Sequence, residues 1–144
     1  MGKVKINNGI EMPCIGFGTY RMENNSNTQQ AVEEGLSVGY RYIDTAAFYD
    51  NEESIGKAIK NSGIPREEIF ITTKLWNDDQ RSGQILEALQ TSLDNLDTDY
   101  IDLYLIHWPI QEEYIQTWKV FEEIYELKRV KAIGVSNFKE HNIE

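Results

Sequence analysis

The sequence predicts an α/β protein with a parallel sheet, of the (β/α)8 TIM-barrel type. The chain covers about the first five strands and four helices of such a barrel, preceded by an N-terminal β-hairpin. Three observations predict this. Short apolar, often β-branched segments recur at intervals of roughly thirty residues, the spacing of strand–helix–strand units. Polar stretches with helical periodicity lie between them. Each apolar segment also ends in a polar or reactive residue, as strands do when a barrel gathers its functional groups at one rim.

The elements follow in order. Asn7-Asn8-Gly9 lies between Val4/Ile6 and Ile10/Met12, the mark of a small hairpin sitting at an edge as a lid on the core. The first strand falls within 13–18 and ends in Gly18-Thr19. Gly16-Phe17-Gly18-Thr19-Tyr20-Arg21 comes near the dinucleotide pattern G-x-G-x-x-G, but Arg21 stands where the third glycine would let a helix pack closely. Residues 23–27 read as a loop rather than a helix start. Of the two parallel architectures that fit, this leaves the open doubly wound sheet weaker than the barrel.

The second strand, 40–45, ends at Asp44, and a helix over 51–60 follows with Ile55 and Ile59 four residues apart. Pro65 after Gly63 stops that helix before the next strand. The third strand, 69–75, carries Lys74 at its end. A helix over 82–96 then places Ile85, Leu86, Leu89, Leu93 and Leu96 on one face. The fourth strand, 100–108, ends at His107, and a helix over 112–127 has Ile115, Trp118, Val120, Phe121, Ile124 and Leu127 as its apolar side. The fifth strand, 130–136, ends in Ser136-Asn137. Lys128 and Arg129 precede it without a glycine, so a non-glycine residue must take the helix C-cap at a modest cost.

Composition bounds the function. A chain of 144 residues with no linker or low-complexity stretch makes one domain, 1–144, and 40% hydrophobic content excludes a disordered chain. The formal charge of −10 argues against a nucleic-acid or anionic-membrane surface, which would need clustered Lys and Arg. Cys14 is the only cysteine, so neither a disulfide framework nor a thiolate metal site is expected. The N-terminus lacks an apolar signal core and no stretch approaches the ~20 apolar residues of a membrane helix, so a cytoplasmic protein is expected.

Four strand-end residues carry chemistry together. A free phenol loses its proton only near pH 10. An ammonium ~4 Å from Tyr49 would favour the phenolate by roughly 4 kcal/mol at an effective dielectric of 20. Lys74 offers that charge, and Asp44 would hold Lys74 protonated and aimed. His107 can donate a hydrogen bond to a carbonyl and orient it. This set suits carbonyl reduction, with Tyr49 giving the proton. None of the four can supply a hydride, which implies a nicotinamide cofactor. Residue by residue, the plainer alternative is a buried Asp44–Lys74 ion pair with His107 as a core residue.

The run Gly39-Tyr40-Arg41-Tyr42-Ile43-Asp44-Thr45-Ala46-Ala47-Phe48-Tyr49-Asp50-Asn51-Glu52 resembles the signature of the aldo-keto reductase superfamily. So do Thr72-Thr73-Lys74-Leu75-Trp76, Leu103-Tyr104-Leu105-Ile106-His107-Trp108-Pro109 and Ala132-Ile133-Gly134-Val135-Ser136-Asn137-Phe138. The resemblance implies an NADPH-dependent barrel acting on small carbonyl substrates, with Asp44, Tyr49, Lys74 and His107 as catalytic tetrad and Tyr49 as general acid. It further implies that Ser136 and Asn137 hold the nicotinamide carboxamide and that Gly18, Thr19 and Tyr20, with Asp44, lie beside the cofactor. Phe48, Trp76 and Trp108 would line the substrate pocket; without the resemblance, they need do no more than cap the core.

Such barrels run to ~250 residues, and five strands cannot close one. The expectation is therefore a missing C-terminal half or self-association through the open strand edges. An alternative reading is a truncated or non-catalytic nicotinamide-binding barrel fragment with a regulatory role.

Overall fold

The computed structural model describes residues 2–144. The opening hairpin pairs β1 (Lys3–Lys5) with β2 (Glu11–Pro13), Val4 lying opposite Met12. Gly9, at φ 87°, supplies the left-handed residue of its turn. The tip is tied down at the entrance to the last strand, where Asn8 Nδ2 donates to Lys131 O at 2.9 Å.

The remaining strands form one parallel sheet in sequence order: β3 (Phe17–Gly18), β4 (Tyr42–Asp44), β5 (Phe70–Leu75), β6 (Leu103–Ile106) and β7 (Ile133–Val135). Helices α1 (Ser26–Ser37), α2 (Glu52–Ser62), α3 (Asn77–Ser82), α4 (Ile85–Leu96) and α5 (Tyr114–Glu126) fill the crossovers. Sequential parallel neighbours joined through helices form the wall of a (β/α)8 barrel. Every residue of β5 is buried, the burial expected of a strand covered on both faces.

The core lies between this sheet and the helices, around Val32, Leu36, Ile43, Ile55, Ile71, Leu89, Leu93, Tyr104, Phe121 and Ile124. Tyr104 and Phe121 stack at 4.8 Å across β6 and α5. Helices α2 and α4 meet at Gly56, where an added Cβ would lie 2.6 Å from Asn95 O, so no larger residue fits without moving a backbone.

Several expected elements are corrected. The first strand shrinks to Phe17–Gly18, because Pro13 belongs to the hairpin. A helix does begin soon after that strand: Asn25 Oδ1 accepts from the Asn27 and Thr28 N–H groups and caps α1 at Ser26. The helix expected over 82–96 is present as α4 but begins at Ile85, and a short helix that was not expected, α3, precedes it and ends at Gly83, φ 71°. That makes five α-helices among the described residues where four were expected. Leu86 is exposed, as are Ile115 and Leu127, so the apolar faces of α4 and α5 are narrower than the periodicity implied. Ile115 instead lines an apolar groove beside β7 with Trp118, Val135 and Phe138. Beyond the fifth strand stands a short 3-10 turn, Glu140–Asn142. The non-glycine C-cap expectation holds: Lys128 takes the left-handed conformation at φ 57° after α5. Among the described residues, no helix is long and apolar enough to cross a membrane.

Candidate active site

All four expected reactive residues stand at the C-terminal rim of the sheet. Asp44 closes β4 and Lys74 lies near the end of β5, paired side by side because Asp44 sits in register with Thr72. Lys74 Nζ donates to Asp44 Oδ1 at 2.7 Å and to the Thr45 carbonyl at 2.8 Å. The ammonium is nearly buried, while the Asp44 side chain keeps about a third of its surface exposed. Tyr42, two residues before Asp44 and on the same face, makes a long 3.4 Å bond from its hydroxyl to Asp44 Oδ2. Its own hydroxyl accepts from Thr72 Oγ1 at 3.2 Å, and burial above all pushes this phenol up from its ordinary value.

Tyr49 ends a 3-10 turn, Ala47–Tyr49, that directly follows β4. Asp50 then turns left-handed at φ 51° and sends the chain into α2. The turn places the Tyr49 ring 5.2 Å from Lys74 Nζ and 5.8 Å, edge-on, from the His107 ring. His107 follows β6, held by its N–H bond to Leu75 O. Burial, then the positive charge of Lys74, lowers its pKa to about 4, against a weaker raising effect of Asp44, so the imidazole is neutral near pH 7. Its Nδ1 is buried without a partner.

The aromatic residues gather over this cluster. Phe48 and Trp76 stack at 3.8 Å, and Trp76 stands 5.3 Å from His107. With Tyr20, Tyr49, Asn77, His107 and Trp108 they line a cavity of about 510 Å³. That volume suits a small organic molecule. The apolar groove beside β7 holds none of the four reactive residues.

The expected cofactor residues occupy two places, at the ends of the two edge strands. Gly18 ends β3 and Thr19 and Tyr20 follow it, and a Cβ at Gly18 would meet open space. Thr19 is fully buried, and both its N–H and its Oγ1 reach the Asp44 carbonyl at 3.1 Å. Its side chain is thereby spent on holding the rim. Tyr20 is exposed, its ring 5.1 Å from that of Tyr49. Across the sheet, Asn137 takes φ 61°, and its Nδ2 donates to His107 O at 2.9 Å and to Ser136 Oγ at 3.1 Å. Half-buried Ser136 and exposed Asn137 are thus fixed beside His107. An amide and a hydroxyl here, with the open flank at Gly18, fit a nicotinamide ring bearing a carboxamide.

With this geometry in hand, the model of the Aldo/keto reductase family matches residues 14–144. The chain belongs to that family. It is 49% identical over 141 residues to the glyoxal reductase of Bacillus subtilis (strain 168), covering 98% of this chain and 51% of that protein. To the methylglyoxal reductase DkgA of Escherichia coli (strain K12) it is 47% identical over 143 residues, covering 98% and 51%. An aldo/keto reductase from Brucella melitensis superposes with a TM-score of 0.93 at 50% identity, over 98% of this chain and 56% of that one. A Bombyx mori aldo-keto reductase solved in complex with NADP gives 0.90 at 41% identity, over 99% and 52%. This aldo/keto reductase chain therefore spans about half the length of the relatives it matches.

Two polar residues of the rim escaped the sequence reading, Asn51 and Glu52. Each follows Tyr49 in a stretch that reads as an ordinary helix start, yet both are buried. Glu52 accepts from Thr73 Oγ1 at 2.8 Å and Ser92 Oγ at 3.1 Å, and burial raises its carboxyl above the ordinary value despite these bonds. It thereby ties the start of α2 to β5 and α4. The only signal was position: polar groups directly beside a reactive residue.

Proposed function

We propose that this chain carries the proton-transfer site of an NADPH-dependent reductase of small aldehydes and ketones, with Tyr49 as general acid. The observation that carries the reading is the Lys74 ammonium, locked by Asp44 and the Thr45 carbonyl and held 5.2 Å from the centre of the Tyr49 ring. The cofactor, when bound, supplies the hydride. Neutral His107 at the cavity wall orients the carbonyl oxygen by donating a hydrogen bond. The Tyr49 hydroxyl then gives its proton to that oxygen as the carbon is reduced, leaving an alcohol and a phenolate. Lys74, fixed beforehand, stabilises that phenolate without reorganising. Ser136 and Asn137 hold the carboxamide, Gly18, Tyr20 and Asp44 border the cofactor while fully buried Thr19 braces the rim, and Phe48, Trp76 and Trp108 shield the carbonyl from water. Glyoxal and methylglyoxal reductases among the relatives support small dicarbonyls as substrates.

The test is NADPH oxidation with methylglyoxal, followed by absorbance. Turnover that Tyr49→Phe reduces by about a thousandfold or more supports the reading, since the substitution removes one proton and leaves the ring. A folded chain without turnover sinks it, and cofactor binding in that chain would favour a non-catalytic binding module.

A further inference from the structure

Asn51 stands at the N-cap of α2, where an Asn side chain ordinarily accepts from an early N–H of its own helix. It makes no such cap. Fully buried, its carboxamide instead accepts from Thr45 Oγ1 and donates through Nδ2 to the carbonyls of Thr19 and Met22, each at 2.9 Å. Forgoing a cap destabilises a helix, so the group is held elsewhere by what it joins.

What it joins is the surround of Tyr49. Thr45 offers Lys74 Nζ its carbonyl at 2.8 Å. Thr19 to Met22 is a tight turn, closed by the Met22 N–H on Thr19 O at 3.1 Å, with Arg21 left-handed at φ 63°. Its tip is Tyr20, whose ring lies 5.1 Å from that of Tyr49. Asn51 itself is tethered to Tyr49 through the single left-handed residue Asp50. A primary amide suits this place: one acceptor meets a hydroxyl, and two N–H groups meet two carbonyls that have no other side-chain donor. An aspartate of the same shape has no hydrogens to offer.

We propose that Asn51 is a positioning residue, its carboxamide joining the Tyr20 turn and the Thr45 strand end to the Tyr49 segment and so setting the phenol against Lys74. The effect on turnover rests on the reductase reading; the effect on geometry does not. Ser54 provides the control, because its side chain and N–H tie the same end of α2 to Asn24 at a point one helical turn further on.

The experiment compares Asn51→Ala, Asn51→Asp and Ser54→Ala in the full chain. Thermal melting, kcat and KM for methylglyoxal, and the 1H–13C resonances of the His107 ring are measured, the rates below every melting temperature. The His107 signal senses the Tyr49 ring 5.8 Å away and needs no turnover. Both Asn51 variants are expected to lose about a hundredfold in kcat with KM changed less than about threefold, the pattern of a misplaced proton donor. They should also shift the His107 resonances, whereas Ser54→Ala lowers the melting temperature and leaves kcat and resonances native.

Folded Asn51 variants with native His107 resonances overturn the proposal, as does a kcat no lower than that of Ser54→Ala. If neither Asn51 variant folds, Thr45→Val, which removes one bond to the carboxamide, must still move the resonances, and native ones overturn the proposal. A wild-type chain without turnover refutes the reductase reading alone, and the resonances then decide.

Discussion

The two ends of the parallel sheet each hold an ion pair at 2.7 Å, and the pairs differ in what surrounds them. At the N-terminal end, Asp102 receives Arg66 Nη2 and the Ile71 N–H on Oδ2, while Lys131 lies 3.3 Å from Oδ1. Arg66 spends its other donors on Thr98 Oγ1 and the carbonyls of Ile69 and Tyr100. The Tyr100 ring meets two cations, Arg66 at 4.1 Å and Lys131 at 4.2 Å. Four of the five Arg66 N–H groups and both Asp102 oxygens are thereby engaged. At the C-terminal end, Lys74 and Asp44 stand beside Tyr49, which lines a cavity with His107; Asp44 is partly exposed and His107 Nδ1 has no partner. A saturated pair fixes the fold; an unsaturated one in a cleft is available to a ligand.

The largest expected effect breaks the comparison if it fails. Asp102→Ala leaves Arg66 and the Ile71 N–H without their partner and should cost about 3 kcal/mol of stability. Lys74→Met replaces the ammonium with an apolar group of similar length beside a partly exposed carboxylate, and should cost only about 1 kcal/mol while abolishing turnover. Urea unfolding of the two variants measures this. Equal losses would show that the Lys74–Asp44 pair is structural too.

The second effect is electrostatic. The chain has two histidines, so an NMR titration resolves His107, with His141→Gln to assign the pair. His107 should titrate near pH 4 rather than the ordinary 6.5, and Lys74→Met should raise it, since the Lys74 charge is the second cause after burial. The sign for stability follows. With the folded pKa depressed, the unfolded chain takes the proton first as pH falls. The contribution of neutral His107 is therefore whole above about 6.5 and is lost between there and about 4. An ordinary titration in wild type would mean the C-terminal rim is as open to water as any surface.

The two ends also differ in how far the sequence exposed them. Asp44, Tyr49, Lys74 and His107 were legible because each ends an apolar run, and period and placement are local signals. Asp102 lies inside such a run, between Ile101 and Leu103, and its partners Arg66 and Lys131 are far along the chain. Asn51 hid for the opposite reason: it occupies the place of a cap, and only the fold shows that its carboxamide turns away. Helix α3 was missed because Asn77-Asp78-Asp79-Gln80-Arg81-Ser82 is polar throughout and shows no apolar period.

The smallest effect concerns two left-handed residues, Lys128 entering β7 and Asn137 leaving it. At Lys128, φ 57°, only the backbone is constrained, and a side chain there costs about 1 kcal/mol. Lys128→Gly should therefore raise the melting temperature slightly, part of the gain being offset by the freer unfolded chain. At Asn137, φ 61°, glycine relieves the same strain but removes the bond from Nδ2 to the His107 carbonyl. Asn137→Gly should leave the melting temperature nearly unchanged and, on the proposed cofactor role of Asn137, weaken NADPH binding by about tenfold, as read by fluorescence titration. If the two glycines behave alike in both measurements, Asn137 is a turn residue only, and the difference between the two ends of the sheet stops at His107.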